Sequence, residues 1–121
     1  MSAFERLGDV APQQLVDGFL ARSIHGERVT FAIVEIDPGS ALPEHRHENE
    51  QLGMLLHGSM TFRIGDEERE LVPGDTWRIP SHTPHSATAG PEGAIALDVF
   101  APTRDDWKQL DAQDPRPPRW P

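Results

Sequence analysis

Four of the chain's six histidines lie in two short stretches. One is His45-Arg46-His47, followed by Glu48-Asn49-Glu50-Gln51; the other is His82-Thr83-Pro84-His85. Neutral imidazole is a common ligand for divalent transition metals, so this spacing suggests metal chemistry before it suggests packing. In an extended segment alternate side chains share a face, which sends 45, 47, 49 and 51 one way and Arg46, Glu48 and Glu50 the other. Two imidazoles and an amide oxygen then converge, with Gln51 rather than Glu50 beside His45 and His47; a bulge would exchange the two. Pro80 and Pro84 bracket a stiff turn, so His85 opens the next strand from a fixed position and supplies the ligand from a second stretch. His82 reads either as a turn residue or as a group at a pocket mouth. His25 and His57 sit beside glycines and read as turn residues without a chemical role.

That ligand set is neutral. Three imidazoles and one amide leave the 2+ charge of an ion uncompensated by protein, which favours a Lewis acid that draws anionic ligands. Because imidazoles ligate only when neutral, metal loss is expected as pH falls below ~6.

Something must bring the two histidine stretches together, and the composition says what kind of scaffold. With 121 residues there is room for one domain, and 36% hydrophobic with 26% charged residues is ordinary for a globular chain. Gly 10 and Pro 12 keep regular elements short, which favours an all-β domain of many turns. Strands are expected near 18–24, 28–36, 51–56, 59–64, 68–72, 75–79, 85–89 and 94–100. The punctuation between them is His25-Gly26, Pro38-Gly39-Ser40, His57-Gly58-Ser59, Gly65-Asp66-Glu67, Pro73-Gly74-Asp75 and Gly90-Pro91-Glu92-Gly93. Residues 1–17 read as an N-terminal arm or a single helical turn, 18–110 as the barrel, and 111–121 as an extended Pro-rich tail. Thr103 would cap a short helical turn whose first residues are acidic, with Trp107 and Leu110 packing it onto the barrel.

Other chemistries drop out. Cys 0 removes disulfides, thiolate nucleophiles and iron–sulfur clusters, and Tyr 0 removes a phenolic acid. A net charge of −9 argues against a phosphate-backbone binder, so no nucleic-acid partner is expected. No apolar run approaches the ~18 residues of a membrane span, and Glu5, Arg6 and Asp9 interrupt any leader. A cytoplasmic protein without a membrane partner is the expectation.

The spacing Gly39-x5-His45-x-His47-x3-Gln51-x6-Gly58 resembles the first cupin motif, with Gln where Glu is usual. Gly74-x5-Pro80-x3-Pro84-His85 resembles the second, departing at His82 where Gly is usual and at Ala89 where Asn is usual. The resemblance implies a cupin double-stranded β-helix, a jelly-roll barrel, with one divalent metal ion (Ni, Zn, Fe or Mn) inside it and a homodimeric state. Further on, Asp98-Val99-Phe100-Ala101-Pro102-Thr103-Arg104-Asp105 is similar to the closing motif of the pectin-degradation cupins of the KdgF type. Those enzymes open the ring of 4,5-unsaturated monouronates. That likeness implies Asp98, Phe100 and Arg104 as catalytic or substrate-contacting residues, with a small anionic substrate. Asp98 would move protons, Arg104 would pair with the substrate carboxylate and Phe100 would form an apolar wall. Competing readings are a structural Asp98–Arg104 ion pair, or an Arg104 that only neutralises Asp105 or Asp106. At the level of function they are a cupin dioxygenase, a polyketide-tailoring cyclase with an apolar mouth, and a cupin that binds an acid without turning it over.

Overall fold

The computed structural model describes residues 2–121. Eight strands run in chain order: β1 Gln13–Val16, β2 Phe19–His25, β3 Thr30–Ile36, β4 Ala41–His45, β5 Glu50–Ile64, β6 Glu67–Leu71, β7 Thr76–Ile79 and β8 His85–Ala101. One short helix, α1 Asp105–Lys108, follows. All the pairings between strands are antiparallel, in the order β1-β2-β3-β8-β5-β6, with β4 also on β8 and β7 also on β5. This is an all-β barrel, as the cupin resemblance implies; the turn pattern alone leaves sandwich and barrel both open. No helix of the described residues is long and apolar enough to cross a membrane.

Two expectations about strand breaks are corrected. His57-Gly58-Ser59 and Gly90-Pro91-Glu92-Gly93 do not end strands; both lie inside the long strands β5 and β8, which bend there and continue on the next wall. The β5–β8 register slips between Leu55 and His57 and again between Gly58 and Met60, so bulges replace turns. Gly58 sits at φ +81°, and a Cβ there would lie 2.0 Å from the Gly93 carbonyl oxygen. Only glycine lets the two bent strands cross so closely. The same corner carries the second half of β5 to the far side of the barrel.

Two strands have no counterpart in the sequence reading. β1 lies in the stretch read as an arm and pairs with β2 of its own chain. β4, edge-paired to β8 with a register slip between Leu42 and His45, was hidden by Pro43 and Glu44. α1 begins one residue later than expected: Arg104 is its N-cap, and the Thr103 hydroxyl donates to the Asp105 carboxylate (2.7 Å) instead of capping the helix.

Inward positions are apolar: Phe19, Ala21, Val34, Ile36, Leu55, Met60, Phe62, Trp77 and Phe100 form one core with Trp107 of α1. The opposite face of β2–β3 carries a buried ion pair, Arg22 (0% exposed) with Glu35 (3%). The Pro-rich tail closes over it. Arg22 Nη2 donates to the Arg116 carbonyl (2.8 Å), and the Arg119 backbone N–H donates to Glu35 Oε2 (3.0 Å). The prolines hold this segment extended, and the buried pair gives it something to grip.

Removing one member of such a pair strands the other charge away from water. Glu35→Leu is therefore expected to destabilise the fold by about 3–5 kcal/mol in urea denaturation, and the Arg22→Met/Glu35→Leu double variant to recover most of that loss. A neutral single variant would contradict the placement of the tail.

Candidate metal centre

His45 ends β4, His85 opens β8, and the two pair directly across the ladder, with ring centroids 4.1 Å apart. His47 lies in the bend between β4 and β5, its ring 5.7 Å from His45 and 4.9 Å from His85. One ligand atom from each of the three falls within 4.8 Å of the others. The two distant stretches therefore meet.

Each ring is set by the same device. Nδ1 of His45 donates to the Pro43 carbonyl (3.0 Å), that of His47 to the Asn49 carbonyl (2.9 Å) and that of His85 to the Thr83 carbonyl (2.8 Å). A carbonyl oxygen only accepts, so the proton sits on Nδ1 and the Nε2 lone pair is left for a ligand. Nε2 of His85 is buried with no hydrogen-bond partner among the described residues. Nε2 of His47 faces Gln51 Oε1 at 3.1 Å. In that tautomer both are acceptors, and a cation between them turns a repulsion into two bonds. An orphaned buried acceptor and an acceptor–acceptor contact are what a divalent ion resolves, so the residues present fit such an ion.

Gln51 has its orientation imposed from behind. Its Nε2 donates to Asp98 Oδ1 at 2.9 Å, which turns Oε1 toward the imidazoles. Trp77 Nε1 donates to the same oxygen at 3.0 Å. The indole reaches that oxygen because residue 53 is glycine: a Cβ there would stand 2.1 Å from the indole nitrogen. Trp77 is thus a positioning group that the sequence reading missed, and a glycine paired opposite a tryptophan was its one signal.

Some positions differ from expectation. The chain from 46 to 49 bends, so 45 to 51 is not one extended face. Asn49 turns away from the imidazoles and donates to the Pro102 (2.6 Å) and Thr103 (3.2 Å) carbonyls, tying the bend to the chain after β8. Gln51 faces inward while Glu50 is exposed, as parity required. His82 is exposed, and its backbone N–H donates to the His47 carbonyl (2.7 Å) at φ +61°. It is a turn residue in the left-handed conformation that glycine adopts without cost, which explains why Gly is usual there.

The Asp98–Arg104 ion pair does not form. Arg104 binds Asp106 instead, Nε to Oδ1 (3.1 Å) and Nη2 to Oδ2 (2.9 Å), while Asp98 is held by Gln51 and Trp77. The guanidinium lies over Trp107 (4.2 Å to the ring centroid) and Phe100 (4.8 Å). Its Nη1 has no partner among the described residues. Thr30 Oγ1 accepts the Arg104 backbone N–H (2.9 Å) and fixes where the residue leaves the barrel. Phe100 packs edge-on against both His47 (5.8 Å) and Trp107 (4.9 Å). A cavity of about 470 Å³ is lined by His45, Gln51, His85, Asp98, Phe100 and Arg104 together.

Burial shifts the ionisable groups here. Desolvation pulls His85 down to about 4 and also lowers His47, where the Arg104 charge adds to it. Desolvation pushes Asp98 up to about 6, held back by the hydrogen bonds from Gln51 and Trp77 and by the Arg104 charge. Proton competition at His47 and His85 therefore begins at lower pH than for free imidazole.

The cupin domain family, Cupin_2, matches residues 32–100. KdgF from Halomonas sp. is similar in structure, with TM-score 0.80 and 29% identity over 88% of this chain and 98% of that one. An RmlC-like cupin from Shewanella frigidimarina superposes with TM-score 0.81 at 21% identity, over 88% and 96% of the two chains. Among curated proteins, oxalate decarboxylase OxdC of Bacillus subtilis is 32% identical over 61% of this chain, and dimethylsulfoniopropionate lyase DddW of Ruegeria pomeroyi is 31% identical over 71%. This chain spans 20% of the former's length and 55% of the latter's.

In metal-free protein, histidine-resolved NMR is expected to show His85 neutral down to about pH 4. Its folded pKa lies below the value of 6.5 for a free imidazole, so its contribution to stability is full above that pH and is lost as pH falls toward 4. A midpoint at or above 6 would contradict the burial. In calorimetric titration with zinc or nickel, His85→Ala and Gln51→Ala should each weaken binding, Gln51→Ala by about 10–100-fold. Unchanged binding in both would remove the centre.

Proposed function

The chain belongs to the cupin family, and from that premise we propose that it is a metal-dependent, non-redox enzyme that opens the ring of an acidic sugar, a 4,5-unsaturated monouronate. The observation that carries this reading is the pairing of two unlike groups beside the histidine cluster. Asp98 is a buried carboxyl poised near neutrality, and Arg104 is a guanidinium with free N–H donors facing the same cavity. His45, His47, His85 and Gln51 would hold the ion. When bound, it supplies Lewis-acid polarisation of substrate oxygens and offsets the negative charge that develops on them.

The chain's own groups account for the proton traffic. Asp98 Oδ1 already accepts two hydrogen bonds, so a proton on this carboxyl resides on Oδ2. Oδ2 takes the proton of the anomeric hydroxyl as C1 becomes a carbonyl and its bond to the ring oxygen breaks. The ring oxygen leaves with that electron pair as an enolate across C5 and C4. Asp98 then returns the proton to C4, the oxygen becomes a ketone, and the carboxylate is regenerated. Nothing is oxidised or reduced overall. Burial raises this carboxyl above the ordinary carboxylate range, the direction that lets one group both take up and return a proton.

Arg104 binds the substrate carboxylate. Asp106 holds two of its nitrogens and fixes the plane, while Nη1 remains to pair with an incoming anion. Phe100 and Trp107 support that plane from below and keep water from it. A carboxylate-bearing ligand also agrees with the substrates in the curated relatives' names, since oxalate and dimethylsulfoniopropionate both carry that group.

Loss of unsaturated-uronate absorbance in metal-loaded protein tests the proposal. Asp98→Asn is expected to lower kcat by about 100-fold or more with metal content retained. Arg104→Met is expected to raise KM about 10–100-fold, the worth of a charge-assisted hydrogen bond. Metal bound without turnover in the wild type would overturn the enzymatic reading in favour of a protein that binds an acid without converting it.

A further inference from the structure

The polar groups occupy only one end of the cavity. Strand register gives the levels. Asp98 lies opposite Ala32 and Gly53, and His85 opposite His45 and Ile64. Two residues further along the same faces, roughly 7 Å by strand rise, come Ala96 opposite Val34 and Leu55, and Ala87 opposite Phe62 and Leu42. Beyond these lie Ile36 and Met60, which also line the cavity. None of these side chains offers a hydrogen bond. A sugar hydroxyl placed there would be buried without a partner, at a cost no apolar contact recovers.

The space exists because two inward positions of β8 are alanine. Ala87 is 5% exposed and Ala96 is 2% exposed, yet both line a cavity of about 470 Å³. A leucine at either position would fill what is now open, and interiors are otherwise close-packed. Residues of β1 and β4 line the cavity too, apolar except for His45 and the exposed Glu44. Leu15 and Val16 of β1 stand on one lip and Leu42 and Pro43 of β4 on the other.

We propose that this chamber is a second subsite, which takes the apolar arm of a carboxylate ligand whose charged head is held at Arg104. The ligand class is an alkyl- or aryl-substituted acid, larger and less hydroxylated than the monouronate, which fills the polar end alone. The inference rests on the reading of Arg104 as the carboxylate-binding group.

Calorimetry on zinc-loaded protein with straight-chain carboxylates, from propanoate to octanoate, tests it. Each added methylene is expected to tighten Kd about 4-fold until the chamber is full. Ala96→Leu should abolish that gain. Arg104→Met should weaken every member of the series while keeping its slope. A flat or falling series in the wild type overturns the proposal, and so does a slope that survives Ala96→Leu, because the arm then lies elsewhere. If Arg104→Met leaves propanoate binding unchanged while the wild-type slope persists, the chamber stands and the carboxylate-binding reading of Arg104 fails. Should Ala96→Leu not fold, Ala87→Leu, at the other alanine lining the chamber, makes the same test: loss of the slope is expected and its survival overturns the proposal.

Discussion

Three N–H···O=C hydrogen bonds, each spanning two residues, set the character of this protein's interior. They lock His45, His47 and His85 in one tautomer and aim three nitrogen lone pairs at a common region. Three neutral acceptors facing one another cannot satisfy each other, and the burial that lowers the pKa of His47 and His85 denies them the easy remedy of protonation. A divalent cation would satisfy all three at once. Gln51 extends the same logic: its amide could face either way, but Asp98 demands a donor and so turns the oxygen inward. Asp98 in turn keeps its free oxygen for chemistry because Trp77 and Gln51 share the other. One chain of contacts thus runs from an indole to the imidazole cluster, and each member restricts the next.

The fold serves this arrangement by bending rather than by turning. Two long strands, β5 and β8, supply Gln51 from one and His85, Asp98 and Phe100 from the other. Both ends of β8 reach the cavity because the strand doubles back at a corner crowded enough to require glycine at 58. Arg104 arrives just after β8 and is held from two directions, by Thr30 at its backbone and by the Asn49 amide on the carbonyls before it. Asn49 also supplies the carbonyl that orients His47. The metal-facing bend and the arginine-bearing loop are therefore one mechanical unit.

Much of this was legible in the sequence, and the rest was hidden for physical reasons. Turn residues and alternation located most of the strands, and residue type with spacing located all three imidazoles. Gln51 rather than Glu50 faces inward, the side that parity assigned it, although the stretch before it is bent, because β5 begins at Glu50 and alternation restarts there. Strands β1 and β4 were invisible because edge strands tolerate proline and charge and need bury only part of one face. Asp98 and Arg104 were readable as residues, but the sequence left Arg104 a choice among Asp98, Asp105 and Asp106, and only the folded loop shows Asp106 taking the guanidinium. Trp77 looks like core filler until its nitrogen is placed, and Arg22 and Glu35 look like surface until the tail lies across them. Alanine at 87 and 96 is the quietest signal: small residues read as packing, and only the barrel shows that these two core positions also line a cavity.

X-ray absorption on the protein loaded with one equivalent of zinc tests the central claim most directly. The account predicts a first shell of three imidazole nitrogens at about 2.0–2.1 Å with oxygen making up the remainder, and loss of one nitrogen in His85→Ala. A shell of oxygens alone, or one unaffected by that substitution, would contradict it.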